Sequence, residues 1–327
     1  MAKLLEMVSR NPRFSFQTVL SSALYIIFAI LFIVYAFSTN SFLTVNNFIQ
    51  VLSDASALII AATGLTFVIL TGSLDLSIGS AMMVSGALAT IAVKNSTGNP
   101  VVGILIVFLI SLAVGIGVGA INGFMIAKLK MTPFLATLGM MVALKGVALT
   151  LTNSTSILLP LSLKKVGVTK LFETVPLYVI LALALIAIAQ YMLRNTIFGR
   201  QIIALGCDQK AAEKLAINSA KITFLCYLLS GIFAGLAGFV AVINLGAVTP
   251  TTGSGYEFLA AACIVLGGTS LFGGKGAFLP NTLIGVLLLS VLENGLILMN
   301  SSIYAIPLIR GGIIFIAMYL DSLKKEN

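Results

Sequence analysis

Residues 101–127, VVGILIVFLISLAVGIGVGAINGFMIA, contain no Asp, Glu, Lys, Arg or His over 27 positions. A helix exposed to water on one side carries a polar stripe on that side. This stretch has none, so its surroundings must be apolar all round. It exceeds the roughly 20 apolar residues needed to cross a hydrocarbon layer about 30 Å thick. The stretch therefore reads as a transmembrane helix, and the rest of the chain follows the same pattern. Apolar runs recur at 19–37, 49–70, 76–93, 133–152, 176–193, 219–244, 257–272, 278–298 and 303–320. With 101–127 that makes ten. The third run, 76–93, is short and the eighth, 257–272, is short and ends in glycines, so either is expected to be broken or re-entrant.

Composition agrees with this pattern. Of 327 residues, 59% are hydrophobic and 9% charged, with a mean hydropathy of +1.12. Soluble domains carry about 25% charged residues, and a water-facing surface cannot be built from so few. The apolar runs continue to the end of the sequence, so residues 1–327 are expected to form a single all-α transmembrane domain. The opening residues MAKLLEMVSRNPRF are basic and precede the first run. That run is too long for a signal peptide and lacks an Ala-x-Ala cleavage site, so it reads as a retained span. The absence of histidine removes every His-based catalytic or metal centre, and the three cysteines, Cys207, Cys226 and Cys263, have no paired spacing.

Lysine and arginine set the orientation. With the N-terminus in the cytoplasm and the runs alternating, thirteen of the nineteen basic residues fall on the cytoplasmic side. Four, Lys94, Lys164, Lys165 and Lys170, fall outside, and Lys145 and Arg310 lie within runs. This is the positive-inside distribution. It favours ten transmembrane helices with both termini cytoplasmic, and it explains the net charge of +9 without invoking nucleic acid. Gly115, Gly119 and Gly123 lie four apart on one helix face, and Gly231 and Gly235 repeat the interval. Small residues so spaced let helix backbones approach closely in lipid.

Residues 194–218, RNTIFGRQIIALGCDQKAAEKLAIN, form the longest cytoplasmic segment. Within it, 208–216 reads as a short amphipathic helix capped by Asp208, with Gly206 supplying a turn before it. Gly268–Gly276, GTSLFGGKG, superficially resembles a phosphate loop, but the spacing is off by one residue and a glycine follows the lysine. The chain thus has no ATPase motif, and these glycines are expected to make a tight turn.

Several stretches, in order, resemble the ribose-type sugar permeases of bacterial ABC importers. Val68–Ser80, VILTGSLDLSIGS, matches the family's V-I-x-T-G-G-I-D-L-S-V-G-S pattern, and Gly199–Gly206 with Ala211-Ala212 and Ile217-Asn218 matches its cytoplasmic loop. Asn122-Gly123, Thr132–Gly139, Gly267–Gly276 and Asn294-Gly295-Leu296 match further blocks. Cys207-Asp208, Ala216, Ser73 and Lys145 depart from the family's Gly-Asn, Gly, Gly and Arg.

The resemblance implies a permease paired with a second copy or a paralogue, cytoplasmic ABC ATPase subunits that bind ATP and Mg, an extracytoplasmic solute-binding protein, and the bacterial inner membrane. This chain itself would need no cofactor. By the same resemblance, residues 208–216 are the coupling helix, with Gly206, Cys207, Asp208, Ala211, Ala212, Glu213 and Ala216 meeting the ATPase. The implied solute is a monosaccharide, with autoinducer-2 or a nucleoside as alternatives.

Ionisable groups within a membrane cost about 2.5–3.5 kcal/mol each on insertion scales, so they are expected to face a cavity or a partner. Asp75 and Glu293 are such groups, with Lys145 and Arg310 as counter-charges. Asp75 reads either as a helix cap at a turn or as a path or gate residue. Thr71, Asn122, Thr137, Asn244 and Asn294 are the polar side chains available to line a path, or to bond helix to helix. An ion-coupled secondary transporter is the alternative class, and it requires a charged site deep in the membrane.

Overall fold

The computed structural model describes residues 28–30, 32–96, 98–171, 173–302 and 304–322. The N-terminal basic stretch and the start of the first apolar run lie outside them. The described helices are α1 (Phe28–Ser38), then α2 (Val45–Leu70), α3 (Ile78–Val93), α4 (Pro100–Ala127) and α5 (Pro133–Thr152). They continue with α6 (Leu161–Gly167), α7 (Leu177–Asn195), α8 (Ile197–Cys207), α9 (Gln209–Lys214) and α10 (Ser219–Leu245). The last are α11 (Tyr256–Leu266), α12 (Leu283–Leu298), which is entered through a π-turn at Phe278–Thr282, and α13 (Ala305–Ser322). Two antiparallel two-residue ladders occur, Ile157–Leu158 with Ala247–Val248, and Lys170–Leu171 with Val175–Pro176. Among the described residues, six helices are long and apolar enough to cross a membrane: α2, α4, α5, α7, α10 and the continuous stretch Phe278–Leu298.

The packing divides the chain into two units, residues 52–287 and a second made from 1–51 with 288–327. In the second, Tyr35, Phe42, Val51 and Val291 form a buried cluster. Asn47 and Asn294 exchange side-chain amide hydrogen bonds of 3.0 and 2.9 Å, and Glu293 pairs with Arg310.

In the larger unit, the glycine spacing read from the sequence forms one seam. A methyl group at Gly115 would strike the carbonyl of Gly231 and crowd Gly235, and one at Gly231 would strike the carbonyl of Gly115 and the backbone of Gly119. Helices α4 and α10 therefore touch backbone to backbone. Lipid offers no hydrophobic driving force between helices, so contact of this kind takes its place.

Two of the expected spans form short helices. α3 has 16 residues and α11 has 11, or about 24 and 16 Å at 1.5 Å per residue. The eighth apolar run extends to residue 272, but its helix ends at Leu266. Gly267 abuts the Asn281 carbonyl and Gly268 takes φ +91°, so the chain turns there.

The segment 194–218 also differs from expectation. Two helices occupy it, and Gly206 lies in the last turn of α8 rather than in a turn of its own. Thr196 starts α8 by accepting a hydrogen bond from the Gly199 amide at 3.2 Å, and Gly199, Ile202 and Leu205 form its buried face. Asp208 caps α9 as expected, its carboxylate accepting from the Ala211 amide at 3.1 Å.

The seam predicts a contrast between two substitutions. Gly231→Leu should cost about 1–3 kcal/mol or more by overpacking and lower the thermal stability of the purified chain in detergent. Gly117→Leu, on the same α4 helix but with nothing near its missing side chain, should leave the melting temperature almost unchanged.

Candidate functional site

Three segments that lie far apart in sequence meet where α8 ends. A methyl group on Gly206 would collide with the Leu70 carbonyl and the Gly274 amide. Those two groups are hydrogen-bonded to each other at 3.0 Å. Gly273 and Gly274 take φ of +84° and +70°, the left-handed region open to glycine. They bring the turn after α11 against Gly72 and Cys207. The glycine-rich stretch thus makes the tight turn expected of it, and the turn is bound to the end of α2 and the end of α8. Helix α9 follows immediately.

On α9, Ala212 is buried, whereas Lys210, Ala211, Glu213 and Lys214 are exposed and Leu215 is 74% exposed. The helix closes in a Schellman arrangement, with the Ile217 amide bonded to the Ala212 carbonyl at 3.2 Å and the Ala216 amide to the Glu213 carbonyl at 3.0 Å. Such a closure places one residue in the left-handed region, and here it is Ala216, at φ +58°. The glycine of the family pattern at this position has a conformational reason.

Asp75 lies in the turn that leads into α3 and is 2% exposed. One carboxylate oxygen accepts from the Ser77 amide at 2.9 Å and the Ser77 hydroxyl at 2.7 Å. The other accepts from the Ser230 hydroxyl at 2.8 Å. The Asn122 amide donates to the Ser77 hydroxyl at 2.8 Å, and the Tyr227 hydroxyl donates to the Leu74 carbonyl at 2.9 Å. Ser230 lies about three turns into α10, so the Asp75 turn is recessed among the helices and not at their ends. Both readings of Asp75 concern this one turn, and its capping geometry is that of an Asx turn.

The other path candidates also bond helix to helix or within a helix. The Thr71 hydroxyl donates to the Val68 carbonyl at 2.7 Å and Thr137 to the Pro133 carbonyl at 2.8 Å. Asn244 accepts from the Tyr178 hydroxyl at 2.9 Å. Glu293 and Asn294 are engaged with Arg310 and Asn47, as described above.

A cavity of about 380 Å³ lies elsewhere in the larger unit, and none of these residues lines it. After the strand Ala247–Val248, the chain descends along α3, with Val248 beside Gly86 and the Gly253 carbonyl against Gly79. Helix α11 therefore begins beside the start of α3, and the N-termini of two short helices converge. Gly79, Ser80 and Met83 of α3 form one wall of the cavity. Met141 and Lys145 of α5 form another, and Thr252, Ser254 and Glu257 close it.

Glu257 is 8% exposed and lies against Gly79. Glu257 and Lys145 thus line the same cavity, and Glu257 is a residue the sequence reading passed over. At the first position of an apolar run, Glu257 resembled a charge at a membrane border. The TGS triplet at 252–254, which repeats the TGS at 71–73 ahead of Asp75, was the available signal.

The permease-component model described as "Branched-chain amino acid transport system / permease component" matches residues 47–318. The chain is 37% identical over 310 residues to the ribose import permease of Escherichia coli strain K12, covering 91% of this chain and 92% of that protein. It is 34% identical over 303 residues to the ribose import permease of Bacillus subtilis strain 168, covering 90% of each. It is 32% identical over 287 residues to the D-allose transport system permease of Escherichia coli K12, covering 88% of this chain and 86% of that one. No solved structure matches. With recessed helix starts, a glycine-tied α8–α9 segment and a family match over most of its length, the chain belongs to the permease components of ABC transporters, in the branch of the sugar import permeases.

Proposed function

We propose that this chain is the membrane-spanning subunit of an ABC importer for a monosaccharide, crossing the bacterial inner membrane ten times with both termini in the cytoplasm. Lacking an ATPase motif, it takes its energy from cytoplasmic ATPase subunits that bind ATP and Mg. An extracytoplasmic binding protein delivers the solute, and a second permease copy or a paralogue completes the membrane part. The observation that carries this reading is the α8–α9 segment. α9 presents Ala211, Glu213 and Leu215 outward while its preceding turn, Gly206-Cys207, is locked to the ends of α2 and α11.

A partner that moves α9 therefore moves the turn that leads into α3 and the turn that follows α11. In this scheme Asp208 and Ala216 fix the two ends of α9, and Ala212 seats it on the permease. The hydrogen-bonded turn at Thr71–Ser77, with Asp75 and Asn122, acts on the gate side of the path. Thr137, Asn244, Glu293 and Asn294 hold the helices that move with it. A bistable element contacted differently by the ATPase in its two states is the physical requirement for coupling. An ion-coupled carrier would leave α9 without a role, and Asp75 has both oxygens committed to serine donors.

Mass spectrometry of proteins co-purifying with the tagged chain in mild detergent should recover an ATPase subunit in near-equal amount. Leu215→Asp should reduce that recovery by about tenfold, as for one buried apolar contact replaced by a charge, while the chain stays monodisperse. Recovery of the chain alone under several detergents would count against the ABC reading. Ala216→Gly should relieve the left-handed alanine, worth about 1 kcal/mol. Hydrogen exchange of the amides at 215–218 should slow by roughly fivefold to tenfold as a result.

A further inference from the structure

We propose that the cavity at the convergence of α3 and α11 is the sugar subsite of the path, and that Glu257 is the side chain that selects hydroxylated solutes. The inference rests on the sugar-permease reading and adds to it a place and a residue. A carboxylate only accepts hydrogen bonds and has about four lone-pair positions. Glu257 lies against Gly79 at the edge of the cavity, where that capacity suits a pair of neighbouring hydroxyls. Across the cavity Lys145 supplies donors, and Ser80, Thr252 and Ser254 line it with hydroxyl-bearing side chains. Met83 is a soft apolar surface for the C–H face of a ring.

Size and charge agree with a small neutral solute. The volume of about 380 Å³ lies at the small end of the range of about 300–1,000 Å³ for small-molecule pockets. One acidic and one basic side chain line the cavity, so neither sign of charge dominates it. A branched aliphatic amino acid would need an enclosed apolar pocket, but hydroxyl-bearing residues stand on two of the walls. Lys145 is exposed on α5. A lysine turned toward lipid is unfavourable, so the face of α5 that bears it borders a water-filled route, and the cavity opens onto that route.

The test uses the whole importer in proteoliposomes, with its ATPase and binding protein, and follows uptake of radiolabelled D-ribose, D-allose, D-fructose and L-leucine. Glu257→Gln should lower uptake of the transported sugar by about tenfold or more, as expected for losing charge-assisted hydrogen bonds. The substituted importer should assemble with its ATPase and binding protein in the same amounts as the wild type. The preference for that sugar over its deoxy counterpart should fall toward unity, and Glu257→Asp should restore part of it. Wild-type uptake and preference in Glu257→Gln would overturn the subsite. So would loss of uptake together with loss of assembly, which marks a structural role. If the wild-type importer takes up L-leucine, or none of the sugars, the sugar reading fails and the subsite with it, an outcome read on the unsubstituted protein.

Discussion

An unpaired backbone amide or carbonyl in a hydrocarbon layer costs several kcal/mol, and this constraint shapes the whole of the larger unit. The chain breaks its helices inside the bundle at 71–77 and again at 249–255, where the bare ends must be satisfied by something other than water. At the first break Asp75 takes the Ser77 amide and the Ser230 hydroxyl, while Tyr227 covers the Leu74 carbonyl. At the second, the threonines of the loop bond to one another, and the Thr249 amide donates to the Thr252 hydroxyl at 2.9 Å. Further along, Gln190 of α7 accepts from the amides of Phe278 and Leu279 at 2.9 and 3.0 Å, where the chain turns into α12. Each irregular stretch is therefore matched to a specific polar side chain.

The same constraint explains why two kinds of acidic residue behave differently. Asp75 is enclosed by hydroxyls and an amide, so its charge is absorbed within the protein. Glu257 is bordered by open volume and by a lysine. A fully engaged carboxylate stabilises a turn, and one with spare lone pairs beside a cavity is equipped to exchange partners. The glycines divide in a similar way. Those of α4 and α10 join helix to helix, and those at 72, 206, 273 and 274 join turn to turn.

Much of the fold was legible in the sequence because lipid imposes simple rules. Apolar runs located the helices within a few residues, the four-residue glycine interval identified the α4–α10 seam, and Asp208 announced α9. The breaks were harder to read. Residues 257–272 stay apolar past the end of α11, so hydropathy cannot reveal where the helix stops, and only the packing of Gly267 against Asn281 ends it. Helix α8 was hidden because Gly206 looked like a turn. Its lack of a side chain serves a close approach to Leu70 and Gly274, a demand made by residues more than sixty positions away. For the candidate site, the motif around Asp75 was visible, whereas the meeting of Lys145 and Glu257 at one cavity depends on a loop that folds back between helices.

The backbone seam between α4 and α10 also bears on temperature. A soluble core gains its stability by releasing water from apolar surface, which brings a large heat-capacity change and weakens the core in the cold. Where Gly115 and Gly231 meet, lipid chains and not water are displaced. The contact carries little of that heat-capacity term, so its strength should vary only weakly between a cold environment and a warm one, and the bilayer's own fluidity becomes the temperature-sensitive component.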